Sequence, residues 1–287
     1  VYKRQLQADS HLITWLHKKG IDYDIITDDE LDREGFLAVK NYKAIMTGSH
    51  PEYFTESMLN ALVNYRESGG NLIYLGGNGF YWRIARHLED PSLLEIRRAE
   101  DGIRAWASEP GEYYNAFDGK YGGLWRRNAR PPQKLVGVGF TAQGNFVGMP
   151  YKRTCFDKKL DWVFEGVHEK ILGDFGLSGG GAAGFELDRV DSKLGGDQNI
   201  TILAQSYDLD GKFMLVPEEQ LTHLTNVSGE PEKNIKRADM VYFQVPGGGS
   251  VFSVGSITFC GSLPHNKFSN DISRILENVV KKFCAVK

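Results

Sequence analysis

The stretch Met46-Thr47-Gly48-Ser49-His50-Pro51-Glu52-Tyr53-Phe54-Thr55 sets an imidazole and a carboxylate two residues apart, directly after the apolar run Ala44-Ile45-Met46. A His-x-Glu pair at the end of a buried strand can bind a metal or pass a proton, and open α/β sheets keep their ligands at such strand ends. The same residues fit a helix start, with Ser49 as N-cap, Pro51 in the first turn and Glu52 closing an S-x-x-E capping box. Spacing alone leaves both readings open.

A second corner, Gly76-Gly77-Asn78-Gly79-Phe80-Tyr81-Trp82, follows the run Asn71-Leu72-Ile73-Tyr74-Leu75. If the two strands are neighbours, it brings Asn78 and three aromatics beside His50 and Glu52. Its glycines permit close backbone approach, although a tight turn with packed aromatics accounts for it equally. It has neither a G-K-[ST] nor a G-x-G-x-x-G spacing, which argues against a nucleotide site. In Gly179-Gly180-Gly181-Ala182-Ala183-Gly184-Phe185-Glu186-Leu187-Asp188-Arg189, small residues lead to Glu186 and Asp188 on one face of any strand. Glu186 could serve as a general base beside a cleared space, or pair with Asp188 and Arg189 in a surface ion cluster.

Aromatic and basic residues gather in Trp106–Tyr114 and Tyr121–Asn128, as pocket walls or as a subunit contact. No nucleophile motif competes: Val254-Gly255-Ser256-Ile257 is not G-x-S-x-G, and Cys155 and Cys260 lack an elbow of small residues.

The elements that would position these groups read as alternating helices and strands. Leu12, Ile13, Trp15 and Leu16 have helical spacing within a helix from about Leu6 to Lys19 that stops at Gly20. Strands follow at Tyr23–Ile26 and Ala44–Thr47, then a helix from about Thr55 to Glu67 and a strand over Asn71–Leu75. Strand, corner, helix, strand implies right-handed crossovers and a mostly parallel α/β sheet. The first helix has no strand before it, so the chain is expected to continue a larger parent. Between about 82 and 210, short runs such as Leu135–Phe140, Trp162–Glu165 and Thr201–Ala204 predict an antiparallel β insertion within one domain spanning 1–287. Met240–Phe243 and Val251–Val254 flank the turn Pro246–Gly249. A last amphipathic helix covers about Asn270–Phe283.

Composition bounds the function. The 34 basic and 37 acidic residues are interspersed and leave a net charge of -3, with no footprint for nucleic acid or an anionic membrane. Three separated cysteines without a C-x-x-C pair argue against a disulfide framework and a thiolate zinc site, and fit a cytoplasmic setting. No apolar run approaches the roughly 20 residues of a membrane span.

In order along the chain, GSHPEY, YLGGNGFYWR, RRAEDGIRAWASEPGEYY, YGGLWRRNARPPQ, GVGFTAQG, GDFGLSGGGAAGFELDR and VGSITF resemble the C-terminal region of the large (β) subunits of N,N-dimethylformamidase. The resemblance implies a glutamine-amidotransferase-like, flavodoxin-like fold with helices on both faces of the sheet. It also implies hydrolysis of a small N-substituted amide at a mononuclear non-haem iron, together with a small (α) partner subunit. By resemblance, Glu52 is the carboxylate ligand of the iron and His50 lies beside it. Asn78 faces the substrate, Glu186 is an acid/base, and Phe80 and Tyr81 wall a small apolar pocket. The two tyrosine ligands are expected upstream of Val1. A different class of function, a non-catalytic amidotransferase-like module for binding or assembly, predicts no iron even in the full-length protein; a carbohydrate-active relative of the fold is a third.

Overall fold

The computed structural model describes residues 2–98, 112–195, 199–208, 210–216 and 231–285. In chain order the strands are β1 (Ala44–Met46), β2 (Tyr53–Phe54), β3 (Asn71–Tyr74), β4 (Trp82–Arg86), β5 (Leu94–Ile96), β6 (Gly139–Met149) and β7 (Tyr151–Arg153). They continue as β8 (Ile171–Leu172), β9 (Ala183–Arg189), β10 (Thr201–Tyr207), β11 (Phe213–Leu215), β12 (Arg237–Gln244) and β13 (Ser250–Ser253). The three long helices are α1 (Tyr2–Lys19), α2 (Glu56–Glu67) and α3 (Asp271–Cys284).

Seven strands form the main sheet in the order β1-β3-β13-β12-β10-β7-β8. The α/β class holds, but the mostly parallel, flavodoxin-like sheet does not. Only β1/β3 and β3/β13 are parallel, and the other four neighbour pairs are antiparallel. The cause lies in the connections. A helix crossover returns the chain parallel, as α2 does between β1 and β3, whereas the tight turn at 246–249 can only reverse it from β12 into β13. Smaller sheets, β11-β6-β9 and β2-β4-β5, flank the main one.

Both faces of the main sheet are covered. Along β3, β12 and β13, consecutive residues enter opposite cores, as a period of two requires. Ile73, Met240 and Phe252 join Trp15, Ile275 and Leu276 from α1 and α3. Leu72, Val241 and Val251 join Leu59, Leu62 and Tyr65 from α2. Gly20, at φ +64°, ends α1 where the sequence places the stop.

Two predicted strands are absent. Tyr23–Ile26 is irregular, with Tyr23 and Ile25 exposed, because the chain is entering the capping box of Thr27 and Glu30 that starts the helix Asp28–Glu34. Trp162–Phe164 end the 3-10 helix Lys158–Phe164, of which Glu165 is the C-cap and whose N-cap Asp157 accepts from the Lys159 amide. Leu135–Phe140 divides at Gly137 (φ +82°) into the end of the short helix Pro132–Val136 and the start of β6. Among the described residues, no helix is long and apolar enough to cross a membrane.

Helices α1 and α3 are joined by Trp15 Nε1, which donates to Ser273 Oγ at 2.8 Å, and by Lys19 Nζ, 2.8 Å from Glu277 Oε2. Burial would raise the Glu277 carboxyl, but hydrogen bonds from Lys19 and Lys281 outweigh it and hold the group down at about 2. With the folded value depressed, this stabilisation is present above the ordinary value of 4.5 and is lost as pH falls through about 2. Glu277→Gln is therefore expected to lower the unfolding free energy at pH 7 by about 1 kcal/mol, after discounting for solvent screening. It should also flatten the acid limb of the stability curve. Urea unfolding at pH 7 and near pH 3 checks both; an unchanged acid limb would contradict the assignment.

Candidate active site

Beyond β1 the chain is pinned rather than coiled into a helix. Ser49 donates from its backbone N (2.8 Å) and its Oγ (3.0 Å) to Asp9 Oδ1 on α1. Pro51 O accepts from the Phe80 amide at 2.7 Å, and Glu52 O accepts from both Tyr81 and Trp82 amides at 3.0 Å. Residues Tyr53 and Phe54 then pair in parallel with Trp82 and Arg83. The helix begins only at Glu56, with Thr55 Oγ1 accepting from the Met58 amide. The capping-box reading of Ser49 and Glu52 thus fails: Ser49 is committed to Asp9, and Glu52 turns its side chain to His50.

Glycine explains how closely the segments approach. A Cβ on Gly76 would sit 2.6 Å from Ser49 O, and one on Gly77 would sit 2.5 Å from Glu186 O. Only a residue without a side chain lets the corner after β3 lie against both the β1 exit and β9. Immediately after, Asn78 and Phe80 adopt left-handed conformations (φ +52° and +54°), and Phe185 does so on β9 (φ +66°). Such backbone is costly for bulky residues and persists only where packing fixes it. Phe80 is held by the rings of Phe54 and Tyr74, at centroid distances of 4.8 and 5.5 Å.

Four of the sequence-predicted residues meet at one point. His50 Nε2 lies 3.0 Å from Glu186 Oε2 and 3.3 Å from Glu52 Oε2, and Asn78 Nδ2 is 3.3 Å from the same nitrogen. The side chains of His50, Glu52 and Glu186 retain 17%, 15% and 14% of their exposure, so the cluster is enclosed yet reachable. The surface ion cluster is not formed: Arg189 is buried and pairs with Asp191 at 3.0 Å. Phe80 and Tyr81 are almost wholly buried, Tyr81 packing edge-on against Trp82 and Phe140. At the rim, the Arg98 guanidinium covers the rings of Trp82 (4.8 Å) and Tyr53 (5.4 Å) and donates to the Tyr53 hydroxyl. Of the aromatic run 106–114, residues 106–111 lie outside the described residues.

Asp188 and Tyr74 also belong to the site. Tyr74 Oη donates to Asp188 Oδ2 and the Asn78 amide donates to Asp188 Oδ1, both at 2.7 Å. The i, i+2 spacing of Glu186 and Asp188 was the available signal, since it places both carboxylates on one face of β9.

Burial dominates the electrostatics. It pushes the Glu52 carboxyl up, opposed by His50 and reinforced by the charge of Glu186. It pushes Asp188 up to about 7 against the pull of the Asn78 amide and the Tyr74 hydroxyl. Burial disfavours the His50 imidazolium, but the hydrogen bond and charge of Glu186, with Glu52 and Asp188 behind, outweigh it and raise this group. Tyr53 is pushed up to about 12 by burial and by neighbouring Glu52. Cys260 is fully buried with its thiol pushed up, which makes it inert as a nucleophile.

The cluster is rich in acceptors. One imidazole N–H faces two carboxylate oxygens, and among the described residues the buried Asn78 Oδ1 has no hydrogen-bond partner. Glu186 Oε2 lies 3.0 Å from His50 Nε2. Hard oxygen donors in excess of donor hydrogens suit a hard cation, a water or an N–H-bearing ligand. Among the described residues, no group of three or more His, Cys, Asp or Glu side chains is arranged to hold a metal alone, so a cation here needs further donors.

In this α/β fold the segment after β1 and strand β9 bring a histidine between two glutamates, an arrangement of groups that can pass a proton or help to hold a cation. Residues 2–271 match the family described as "N,N-dimethylformamidase beta subunit-like, C-terminal", and the chain belongs to that family. It is 39% identical over 285 residues to the N,N-dimethylformamidase beta subunit of Paracoccus aminophilus, and equally to that of an Alcaligenes species. Each match covers 97% of this chain and 37% of the relative, so the chain spans little more than a third of the length of those curated relatives.

Gly77→Ala is expected to destabilise the fold by about 1–3 kcal/mol through the forced backbone contact with Glu186. Gly195→Ala, whose added Cβ would meet nothing closer than 3.7 Å among the described residues, should be neutral or slightly stabilising. Urea unfolding of the two variants checks this; equal stabilities would remove Gly77 from the account.

Proposed function

We propose that this chain carries the acid/base part of an amidohydrolase site, in a parent protein that cleaves a small N-substituted amide such as N,N-dimethylformamide to an amine and a carboxylate. The observation that supports this reading most is the convergence of His50, Glu52, Asn78 and Glu186 in a chain of the dimethylformamidase β-subunit family. Glu52 is proposed as the carboxylate ligand of a mononuclear iron, completed by tyrosine phenolates from elsewhere in the parent. The acceptor-rich cluster fits such an ion, which when bound supplies Lewis acidity toward the amide carbonyl. A small (α) subunit is the proposed partner.

The chain's own residues then divide the proton work. Glu186 accepts a proton from the attacking water and returns it to the departing amine nitrogen as the C–N bond breaks. His50, whose charged form its carboxylate neighbours favour, donates its Nε2–H toward the oxygen on which negative charge develops. The Asn78 amide offers a second donor from the same side. Enclosure keeps bulk water from competing for these groups, which strengthens each interaction.

The lack of a three-ligand set among the described residues favours a second reading, a binding or assembly module without chemistry. The two readings part in the full-length parent, assayed with its small subunit for iron content and amine release. Glu52→Ala is expected to lose both the iron and at least about 100-fold in activity. Glu186→Gln is expected to keep the iron and lose on the order of 10²- to 10⁴-fold, the range of general acid–base catalysis. Full activity in Glu52→Ala would remove that residue from the site, and an iron-free, inactive wild type would support the assembly module.

A further inference from the structure

Asp188 takes no part in the proton transfers proposed above, yet it is fully buried at their base. One of its oxygens accepts the Asn78 amide and the other the Tyr74 hydroxyl, each at 2.7 Å. Tyr74 Oη in turn accepts from the Gly79 amide at 2.8 Å. Two consecutive amides of the corner are thereby tied to one carboxylate, one directly and one through the phenol. Those ties fall where the backbone needs them: Asn78 is left-handed, and Gly79 packs so closely that a Cβ there would lie 2.7 Å from Tyr74 Oη. The Asn78 side chain emerges from this corner with its amide 3.3 Å from His50 Nε2. Two residues earlier on β9, Glu186 reaches the same nitrogen. Pairing of Glu186 with Gln143 and of Asp188 with Phe140 on β6 fixes both carboxylates on one strand.

We propose that Asp188 is a positioning residue: through the Asn78 amide and the Tyr74 hydroxyl it holds the left-handed corner and so keeps the Asn78 side chain on His50. The proposal deepens the amide-hydrolysis reading and rests on it. It predicts coupling between Asp188 and Asn78 that general destabilisation would not produce.

The test uses the full-length protein with its small subunit, comparing wild type, Asp188→Asn, Asn78→Ala and the double variant. An asparagine at 188 keeps the volume but turns an NH2 toward one of the two donors, which opens the corner without emptying the space. Asp188→Asn is expected to lower kcat for amine release roughly 10- to 100-fold, as displaced catalytic groups do. KM should stay within about twofold, and the substitution should add nothing in the Asn78→Ala background. A crystal structure of Asp188→Asn should show Asn78 out of the left-handed region and its amide away from His50. Wild-type kcat, an undiminished further loss in the Asn78→Ala background, or an unmoved Asn78 would each overturn the proposal. If Asp188→Asn does not fold, Tyr74→Phe, which frees only the Gly79 amide, is read the same way: a smaller kcat loss with Asn78 displaced supports the proposal, and an unmoved Asn78 overturns it. Should the wild type release no amine, the hydrolase reading fails by itself, and the position of Asn78 in the crystal structures still decides the role of Asp188.

Discussion

Backbone contact at Gly76 and Gly77 is the constraint from which the site follows. Three segments distant in sequence, the exit of β1, the corner after β3 and strand β9, meet where a β-carbon would lie 2.5–2.6 Å from a carbonyl oxygen. Side chains at those two positions would push the segments apart. His50 and Glu52 would then separate from Glu186, and the imidazole would lose the carboxylate neighbours that favour its charge. The left-handed residues on either side are the conformational cost of so tight a meeting, and the rings of Phe54, Tyr74 and Phe80 supply the packing that sustains it.

The electrostatic character of the site follows from the same closeness. Two carboxylates share one imidazole edge in a setting dry enough to raise Glu52, and a third carboxylate, Asp188, lies beneath them. Negative charge is concentrated where little water can disperse it. The carboxylates favour the charged form of His50, and Asn78 Oδ1, which has no partner among the described residues, adds to the demand for a positive or hydrogen-donating guest. A structural ion pair would balance its charges; this cluster leaves a surplus, which is the physical ground for reading it as functional.

Much of this architecture was legible in the sequence. The apolar periodicity of α1, α2 and α3 and the glycine after α1 placed those helices within a few residues, and β1, β3, β10, β12 and β13 were read as strands. The family was legible because its motifs are long. The motifs point to His50, Glu52, Asn78 and Glu186, which the fold brings together, and the expectation that the two corners are neighbours is met by the Phe80–Pro51 and Tyr81–Glu52 backbone hydrogen bonds. Strand direction was not legible: a single crossover at α2 suggested a parallel sheet, while the order of strands beyond β13 depends on pairings between distant residues. Tyr23–Ile26 shows that a β-branched and aromatic run makes no strand without a neighbour to pair with. The capping box at Ser49 failed because Asp9, forty residues earlier, captures the serine. Asp188 is placed on the Glu186 face by its spacing, but its tie to Tyr74 is not legible for a similar reason, as that contact spans 114 residues.

The central claim is that Glu52 and Glu186 favour the charged form of the His50 imidazole between them. It is tested most directly by following the His50 ring nitrogens by NMR across pH in the metal-free protein, alongside Glu186→Gln. The account predicts a titration midpoint above the ordinary 6.5 that drops when Glu186 is neutralised. A midpoint at or below 6.5 that is indifferent to Glu186 would contradict it.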